Sequence, residues 1–369
     1  MLRAFPGATI YTTLYDPAGT YPEFRDARIV VSPLNRVGAL RRHHRAALPL
    51  LPAAASLLRT EGEVVVASSS GWAHGFRHPR GAKVLVYCHN PARWLYQTET
   101  YLGGPASRSP RGLALLALRP ALAWWDRRAA RRADQYVANS RVVRDRIRAT
   151  YGIEADVVPP PYGVDPTQEA APVAALADWV GGAGESEEGP GAWHLIVSRL
   201  LPYKNVREAV AAFRELPERL VIVGSGPLEG ELRADLPANV RLLSGLSDAE
   251  MRWTYAHAHA LVAPSHEDFG LTPLEAGAFG RPTLALRAGG YLDTIDPDVN
   301  GAFFDAPSAA AIRDAVIAAR GRAWDAEAIR SHTSAFDEPR FHAELRRRVA
   351  ALAEGRAPRE TGPHRPHGT

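Results

Sequence analysis

Short apolar runs alternate with helical patterns along most of this chain, in two series on either side of a Gly- and Glu-rich segment at 181–191. The first series predicts strands at 8–14, 27–31, 64–67, 83–88, 135–138 and 155–158, and helices at 40–58, 112–133 and 141–151. The second predicts strands, with helices between them, at 194–198, 219–223, 240–244, 260–263, 282–286 and 302–305. Strands that alternate with helices are typical of parallel sheets, so the sequence predicts two doubly wound, Rossmann-like α/β domains.

The length of 369 residues also favours two domains, because a single core rarely grows so large. We expect the two domains to face each other across a cleft at the carboxyl ends of their strands, where α/β proteins bind ligands. The predicted organisation is an N-terminal domain at 1–165, a linker at 166–192, a second domain at 193–335, a helix at 336–354 and a disordered tail at 355–369.

Composition narrows the class of protein further. Cys88 is the one cysteine of the chain, which excludes an internal disulfide and favours a reducing compartment. The first residues do not form a signal peptide, and the longest apolar stretch, 112–125, is interrupted by Arg119 and Pro120. We therefore expect a cytoplasmic protein without a membrane span.

The charge is distributed unevenly although the net value is only +4. Residues 36–148 hold 20 Lys and Arg against 6 Asp and Glu. One interpretation is attraction to an anionic surface, such as the cytoplasmic leaflet of a membrane or a phosphate-bearing acceptor. The other is a set of solvated, Arg-rich helix faces. Nucleic acid is not expected as a partner, because no binding motif accompanies the charge.

Two carboxylates stand eight positions apart in the segment 265–282. The apolar run 260–264 predicts a buried strand, Glu267 lies in the loop after it, and a helix is expected to begin near Thr272. Such a helix start has unpaired N–H groups that suit a diphosphate. Glu267 could accept sugar hydroxyls, and Glu275 could accept ribose hydroxyls. Alternatively, Thr272 and Glu275 form a capping box and only close their own helix.

Arg199 and Lys204 stand at the carboxyl end of the first strand of the second domain. Two cations five positions apart across a turn can converge on one diphosphate and stabilise a nucleotide as it leaves. Two solvated surface charges are the other interpretation. Pro202 and the end of the strand restrict the local geometry, which favours the interpretation that the two cations bind a diphosphate.

A Gly-rich turn with Gly224 and Gly226 follows the next strand. It has the form of a dinucleotide fingerprint, but the strand after it, 240–244, does not end in an acidic residue that would bind a ribose. We therefore expect the two glycines to let the backbone pass close to a nucleotide. The turn around Leu246 is expected to meet the base.

Together these residues resemble the nucleotide-binding half of the retaining glycosyltransferases of family 4, which have the GT-B fold. The segment 86–94 reads Val-Tyr-Cys-His-Asn-Pro-Ala-Arg-Trp and resembles the Cys-His-Thr-Pro-Met-Arg-Tyr segment of bacterial O-antigen and lipid-linked mannosyltransferases. Further matches to this subgroup lie at 67–75, 137–141 and 158–161.

The resemblance implies a role for each residue of the site. Arg199 and Lys204 would hold the donor diphosphate. Glu267 would bind hydroxyls of the donor sugar, and Glu275 would bind the ribose. His89 would lie against the donor sugar and help to orient or polarise the reacting groups, which makes His89 and Glu267 the expected catalytic residues. The other donor-binding residues would be Gly224, Gly226, Leu246, Asp268, Phe269, Gly270 and Leu271.

The resemblance requires neither a metal nor a cofactor. Asp296 and Asp298 have the spacing of a metal-binding motif of GT-A enzymes, but their Pro- and Asn-rich surroundings favour a turn. In retaining enzymes of the GT-B fold the acceptor hydroxyl is thought to attack from the face that the nucleotide leaves. The phosphate can then assist deprotonation, so a nucleophilic carboxylate is not expected.

Family members usually have a strand, a Gly-Gly turn and a helix before a segment like 5–12, whereas this chain starts at that segment. The N-terminal domain is therefore expected to lack its first βα unit. Either the start codon was placed too late or the protein is a degraded paralogue.

The leading hypothesis is transfer of a hexose, most simply mannose from GDP-mannose, to a polysaccharide or lipid-linked acceptor. The alternative is a noncatalytic nucleotide-sugar-binding paralogue or partner subunit. A sugar epimerase of the same fold is a third candidate, which the match around His89 disfavours. The basic N-terminal half is expected to contact an anionic membrane peripherally.

Overall fold

The computed structural model describes residues 1–42, 47–99, 110–180 and 193–355. These residues form two compact units. Among the described residues, unit 1 contains 1–159 together with 339–355, and unit 2 runs from Pro160 to Glu338.

Both units are built on parallel sheets. In unit 1 the strands are β1 (Ile10–Thr12), β2 (Ile29–Val31), β3 (Val64–Ser69), β4 (Lys83–Cys88), β5 (Gln135–Ala138) and β6 (Asp156–Val157). Strands β1 and β2 pair with each other, and the other four form a sheet in chain order. In unit 2 the strands are β7 (Trp193–Val197), β8 (Leu220–Val223), β9 (Val240–Leu243), β10 (Ala258–Ala263), β11 (Thr283–Leu286) and β12 (Gly301–Phe304).

Helices connect these strands. Those of unit 1 are α1 (Gly38–Arg42), α2 (Leu51–Leu57), α3 (Arg93–Tyr96), α4 (Pro110–Ala130) and α5 (Arg141–Tyr151). Those of unit 2 are α6 (Ala177–Val180), α7 (Val206–Arg214), α8 (Glu229–Ala234), α9 (Asp248–Ala256), α10 (Thr272–Ala278), α11 (Tyr291–Thr294), α12 (Ala309–Ala319) and α13 (Ala326–Ser334). The last helix is α14 (Glu338–Ala353). Within the described residues, none of the helices is long and apolar enough to cross a membrane.

The sheet of unit 2 has the order β12-β11-β10-β7-β8-β9, and every pair is parallel. The chain therefore winds outward from β7 in one direction and from β10 in the other. This is the Rossmann-type order, in which the crevice between the two central strands is the usual ligand site. The predicted fold class, two α/β domains with Rossmann-like parallel sheets, is confirmed.

Strand β8 shows how this sheet is covered on both faces. Leu220 and Ile222 pack into one hydrophobic cluster, while Val221 and Val223 pack into another on the opposite face. Successive side chains of a strand point to opposite sides, so a strand covered on both sides must be apolar almost throughout. The continuous apolar runs in the sequence are the signature of this arrangement.

The single helix predicted over 40–58 is wrong. The structure has two short helices there, α1 and α2, and residues 43–46 between them lie outside the described part. Pro49 and Pro52 explain the difference, because proline lacks the N–H that a helix interior requires. Helix α2 instead begins next to Pro52, a position that proline tolerates.

The predicted linker at 166–192 contains ordered structure before residue 181, where the described residues stop. Leu176 and Trp179 are buried in the core of unit 2. Arg241 bonds to Asp178 and also stacks over the Trp179 ring at 4.2 Å. This segment is therefore part of unit 2. Residues 356–369 of the predicted tail lie outside the described residues.

Helix α14 is packed in unit 1, although it follows unit 2 in the chain. Phe341 and Leu345 are buried against Leu85 and Tyr87 of β4. The buried guanidinium of Arg348 is paired with Asp156 of β6 and with Glu344, at 2.7 Å from the latter. An apolar face and one buried cation therefore fix the helix to the sheet.

We expect Arg348→Ala to lower the free energy of unfolding by roughly 2–3 kcal/mol, because it leaves the partly buried carboxylate of Asp156 without its cation and Glu344 with Arg347 alone. Arg347→Ala is the matched control, since its side chain is 35% exposed and its loss leaves Glu344 paired with Arg348. That variant should lose less than about 1 kcal/mol. Urea denaturation of both variants measures the difference, and equal losses would contradict the packing described for α14.

Candidate functional site

Two loops of unit 2 meet at the point where the sheet order reverses. One follows β7 and contains Arg199 and Lys204, and the other follows β10 and contains Glu267. The ammonium of Lys204 bonds directly to Oε1 of Glu267. The structure therefore brings together two predicted site residues that are 63 positions apart in the chain.

The carboxylate of Glu267 is held by more than the lysine. The hydroxyl of Ser265 donates to Oε1 of Glu267 at 2.6 Å. The Tyr291 hydroxyl lies 3.4 Å from the Ser265 hydroxyl. Burial, and then the nearby Glu267 carboxylate, raise the pKa of Tyr291, so this hydroxyl keeps its proton. Lys204 is 9% exposed, so the pair lies largely out of solvent.

Asn205 connects the two loops through its side chain and its backbone. Its φ is +56°, a left-handed conformation that asparagine tolerates better than most residues. The side-chain amide donates to the carbonyl oxygen of Pro264 at 2.8 Å, directly beyond β10. Lys204, the preceding residue, is thereby held in the crevice.

Gly224 and Gly226 are required by close contacts within the protein. A Cβ on Gly224 would lie 1.8 Å from the carbonyl oxygen of Ser198, and one on Gly226 would lie 2.6 Å from that of Leu200. Leu200 also donates to the carbonyl of Ser225 at 2.8 Å. The two glycines thus let the β8 loop support the loop that carries Arg199 and Lys204. Their predicted contact with a nucleotide stays a prediction.

The sequence prediction missed the turn at Gly289, Gly290 and Tyr291, which supports the Glu267 loop. The N–H of Gly290 donates to the carbonyl of Glu267 at 2.9 Å. A Cβ on Gly289 would lie 2.2 Å from the same carbonyl oxygen, and one on Gly290 would lie 2.2 Å from Cα of Phe269. The Gly-Gly-Tyr sequence after β11 is the signal that could have indicated this contact.

Gly270, with φ of +84°, packs against the ring of Tyr291, where a Cβ would come within 2.5 Å of the ring. Phe269 is buried, while Leu271 is 40% exposed. Asp268 is half-buried in the same loop. In this stretch Phe269 and Gly270 therefore pack against the protein, whereas the side chain of Leu271 is largely open to solvent.

Glu275 lies one turn into α10 and does not cap that helix. The N-cap is Leu271, which makes no side-chain capping bond, so the capping-box interpretation is wrong. Instead Oε2 of Glu275 accepts a hydrogen bond of 2.6 Å from the fully buried hydroxyl of Tyr255. Sequence reasoning missed Tyr255 because its position in α9 shows nothing of this tertiary contact. Burial raises the pKa of Glu275, and the Tyr255 bond opposes that rise only in part.

The other predicted residues of unit 2 lie around this centre. The exposed guanidinium of Arg199 donates to the hydroxyl of Tyr203 at 3.4 Å, and Lys204 Nζ lies 5.3 Å from the Tyr203 ring. Leu246 is half-buried and packs on the core beneath the sheet. It comes just before Ser247, which forms a capping box with Glu250 at the start of α9.

His89 belongs to unit 1, directly after β4. Its Nε2 lies 2.9 Å from the Ser68 hydroxyl, and its ring packs edge-on against Tyr87 at 5.2 Å between centroids. Burial lowers the pKa of His89, so the imidazole is neutral near pH 7. A neutral ring has one nitrogen that donates and one that accepts.

The turn predicted at Asp296 and Asp298 is present, because the N–H of Asp298 donates to Oδ1 of Asp296 at 2.9 Å. Asn300 closes the same turn through its bond to the N–H of Asp296, at 2.7 Å. Across residues 1–42, 47–99, 110–180 and 193–355, the structure does not place three His, Cys, Asp or Glu side chains in a metal-binding group.

Comparison with known proteins bears directly on this arrangement. Residues 187–320 match the family described as "Glycosyl transferases group 1", and residues 1–168 match the one described as "Glycosyltransferase Family 4". The chain belongs to the family 4 glycosyltransferases. Their GT-B fold is also the fold of the sucrose-phosphate synthase from Thermosynechococcus elongatus, which aligns with a TM-score of 0.67 and 17% identity over 95% of this chain and 90% of that one.

Curated relatives align with parts of this family 4 chain. A D-rhamnosyltransferase of Pseudomonas aeruginosa is 30% identical over 162 residues, which are 42% of this chain and 37% of the relative. A glycogen synthase of Pseudomonas fluorescens is 29% identical over 180 residues, again 42% of this chain but 34% of the relative. The alignments thus span little more than a third of those relatives.

We expect Gly224→Ala to destabilise the protein by at least about 2 kcal/mol, because the added methyl group overlaps a backbone carbonyl that cannot move away alone. Gly230→Ala is the matched control, since a Cβ there meets nothing within 4 Å and the residue lies in helix α8. The control should gain roughly 0.5–1 kcal/mol. Thermal unfolding measures both, and a Gly224→Ala protein as stable as wild type would contradict the loop contact.

Glu275 has a raised pKa, so its folded form holds a proton to higher pH than the unfolded chain does. The stability that this proton contributes is present below the unfolded pKa and is lost as the pH rises through the folded pKa. Glu275→Gln keeps an acceptor for Tyr255 and cannot ionise. We therefore expect wild type to become less stable relative to this variant between about pH 4 and pH 7.

Glu344→Gln is the control, because the pKa of Glu344 is shifted in the opposite direction and the expected change of stability with pH is reversed. Burial raises the pKa of Glu344, but the hydrogen bonds and charges of Arg347 and Arg348 prevail and lower it. Wild type should therefore gain stability relative to Glu344→Gln as the pH rises from about 3 to 6. Urea denaturation across this pH range measures both pairs, and parallel trends for the two variants would contradict the assignment for Glu275.

Proposed function

We propose that this protein is a retaining glycosyltransferase that transfers a hexose, with GDP-mannose as the donor, to a polysaccharide or lipid-linked saccharide acceptor. The contact between Lys204 and Glu267 at the switch point of the unit 2 sheet is the observation that carries the proposal. It sets a cation and a carboxylate side by side where α/β sheets bind nucleotides. A nucleoside diphosphate sugar needs both groups, one for its phosphates and one for its hydroxyls.

Lys204 and Arg199 would neutralise the donor diphosphate. An ammonium has three N–H donors, and the contact with Glu267 engages one of them. Arg199 is exposed five positions earlier, on the same supported loop. As the glycosidic bond to phosphate breaks, negative charge grows on the leaving oxygen, and fixed cations stabilise it. We propose that these side chains act without a metal ion or cofactor.

Glu267 and Glu275 would bind hydroxyls at different parts of the donor. Glu267 is already oriented by Ser265, and a sugar hydroxyl can donate to its remaining lone pairs. Glu275 is oriented by Tyr255, which leaves its other oxygen for a ribose hydroxyl. Two carboxylates fixed by separate hydroxyl donors suit recognition of a ligand with hydroxyls at both ends.

The proposed reaction retains the configuration of the sugar. The acceptor oxygen forms the new bond to the anomeric carbon on the face that the diphosphate leaves, and the hydroxyl proton passes to the departing phosphate oxygen. His89, neutral and oriented by Ser68, is proposed to orient or polarise the reacting groups. The sequence around His89 is what supports mannose as the sugar of the donor. The relatives named above, a glycogen synthase and a D-rhamnosyltransferase, do not support one common sugar.

Isothermal titration with GDP-mannose, UDP-glucose and GDP tests the proposal. GDP-mannose and GDP should bind with similar affinities, and UDP-glucose should bind more weakly. Folded protein that binds none of the three would contradict the proposal altogether. Binding of GDP-mannose without transfer to any tested acceptor would instead favour a noncatalytic nucleotide-sugar-binding paralogue.

We expect Glu267→Ala to reduce transfer by about 100-fold or more, with a much smaller effect on GDP affinity, because it removes a group that contacts the sugar. Glu275→Ala should weaken GDP binding itself by about tenfold or more, since the hydrogen bond to the ribose is lost and a buried polar group is left without its partner. Glu327→Ala, at a carboxylate that is 80% exposed, is the control for both. Reversed effects of the two substitutions would contradict the roles assigned here.

Peripheral contact with an anionic membrane also belongs to the proposed function, together with a cytoplasmic location. The basic stretch at 36–148 supports it, because clustered arginines attract anionic lipids.

A further inference from the structure

Helix α4 has an amino-terminal half that is apolar and lies outside the core of unit 1. Residues 113–121 are exposed on all sides except at Leu115, and Arg119 is the one charged residue among them. Leu113, Leu116 and Leu118 are 54%, 38% and 41% exposed. A helix that is apolar all round is normally buried in protein or in lipid. This surface therefore requires a cover.

The carboxyl-terminal half of the same helix is anchored firmly. The buried carboxylate of Asp126 accepts hydrogen bonds from Tyr96 and Tyr151 at 2.7 and 2.9 Å. The Trp125 indole donates to the Ser56 hydroxyl at 3.1 Å and packs against Trp72. The exposed half of α4 is therefore held in a defined position by its other end.

A cavity of about 170 Å³ lies beside this anchor, between α4 and α2. Ser56, Trp124 and Trp125 form part of its wall. The other lining residues are the three arginines Arg77, Arg128 and Arg132. Trp124 is 65% exposed and lies under the guanidinium of Arg128, at 5.9 Å from the ring centroid. Its ring continues the apolar surface of α4 to the edge of the cavity.

The three arginines repel one another. Arg128 and Arg132 are four positions apart, a spacing that brings like charges together at the end of a helix. Burial lowers the pKa of Arg132, and the charges of Arg128 and Arg77 lower it further. Among the described residues, the ion pairs do not include any of these three side chains. An anion in the cavity would relieve the repulsion.

We infer that this cavity binds the phosphate group of an anionic lipid while the exposed half of α4 enters the adjacent acyl region. Guanidinium groups bind phosphate oxygens through paired N–H donors. An apolar helix surface next to such a cluster fits a membrane interface, where apolar burial and attraction to anionic lipid add together. This deepens the membrane contact proposed above and does not depend on the transfer reaction.

The test is sedimentation of the full chain with vesicles of equal parts phosphatidylcholine and phosphatidylglycerol at low salt. The double variant Arg128→Gln with Arg132→Gln should weaken vesicle binding by about 30-fold. This is the product of two losses, because each arginine near the surface contributes roughly tenfold or less to the affinity. The control is Arg144→Gln with Arg148→Gln, which removes the same charge from exposed positions on α5 of the same unit. It should weaken binding by less than about threefold. Equal losses in the two double variants would overturn the inference, because they would show attraction to net charge alone.

A second pair of variants tests the apolar surface. Leu113→Ser with Leu116→Ser should also reduce vesicle binding, whereas Ile317→Ser, at a position of similar exposure on α12, should not. All variants replace exposed or cavity-lining side chains, and circular dichroism melting checks that each one is folded. Vesicle binding that is unchanged by the two leucine substitutions would contradict entry of α4 into the bilayer.

Inorganic phosphate distinguishes a lipid from a free anion. It should raise the melting temperature of wild type and leave that of Arg128→Gln with Arg132→Gln unchanged, since both sources share the phosphate group. Stabilisation by phosphate together with failure of wild type to sediment with anionic vesicles would overturn the lipid assignment. Nucleotide-sugar binding measured on the same preparations keeps this outcome separate from any failure of the proposed transfer reaction.

Discussion

The ion pair between Lys204 and Glu267 is the contact on which the site in unit 2 depends. It joins loops that follow adjacent strands, β7 and β10, yet lie 63 residues apart in the chain. A pair so far out of solvent contributes little net stability, because desolvation offsets most of the attraction. The hydrogen bond from Asn205 to Pro264 holds the two loops together instead, and Ser265 orients Glu267 within its own loop. A costly pair held in place by other contacts suits a role in binding.

Glycines make that arrangement possible by allowing backbones to approach closely. Gly224 and Gly226 let the β8 loop press on the loop of Lys204, while Gly289 and Gly290 do the same for the loop of Glu267. A side chain at any of these positions would overlap main-chain atoms. The crevice is therefore built from two supporting turns behind the two loops that carry the ion pair, which gives the preorganisation that a binding site requires.

The sequence predicted the strands of the sheets well, because a strand buried on both faces is recognisable as a continuous apolar run. It failed over 40–58, where helical periodicity outweighed Pro49 and Pro52. Partners across the fold were harder to predict. Two such contacts are the bond between Tyr255 and Glu275 and the support of Glu267 by Tyr291. Both form only when distant elements pack together, and a local sequence pattern does not indicate which distant residues will meet.

A crystal structure of the protein with GDP-mannose tests the central claim most directly. We predict that the diphosphate oxygens lie within hydrogen-bonding distance of Lys204 and Arg199, and that Glu267 keeps its bonds to Lys204 and Ser265 while its other oxygen accepts a hydrogen bond from a hydroxyl of the sugar. Glu275 should contact the ribose while it keeps its bond to Tyr255. A donor bound elsewhere, with the pair of Lys204 and Glu267 intact and distant from it, would contradict this account.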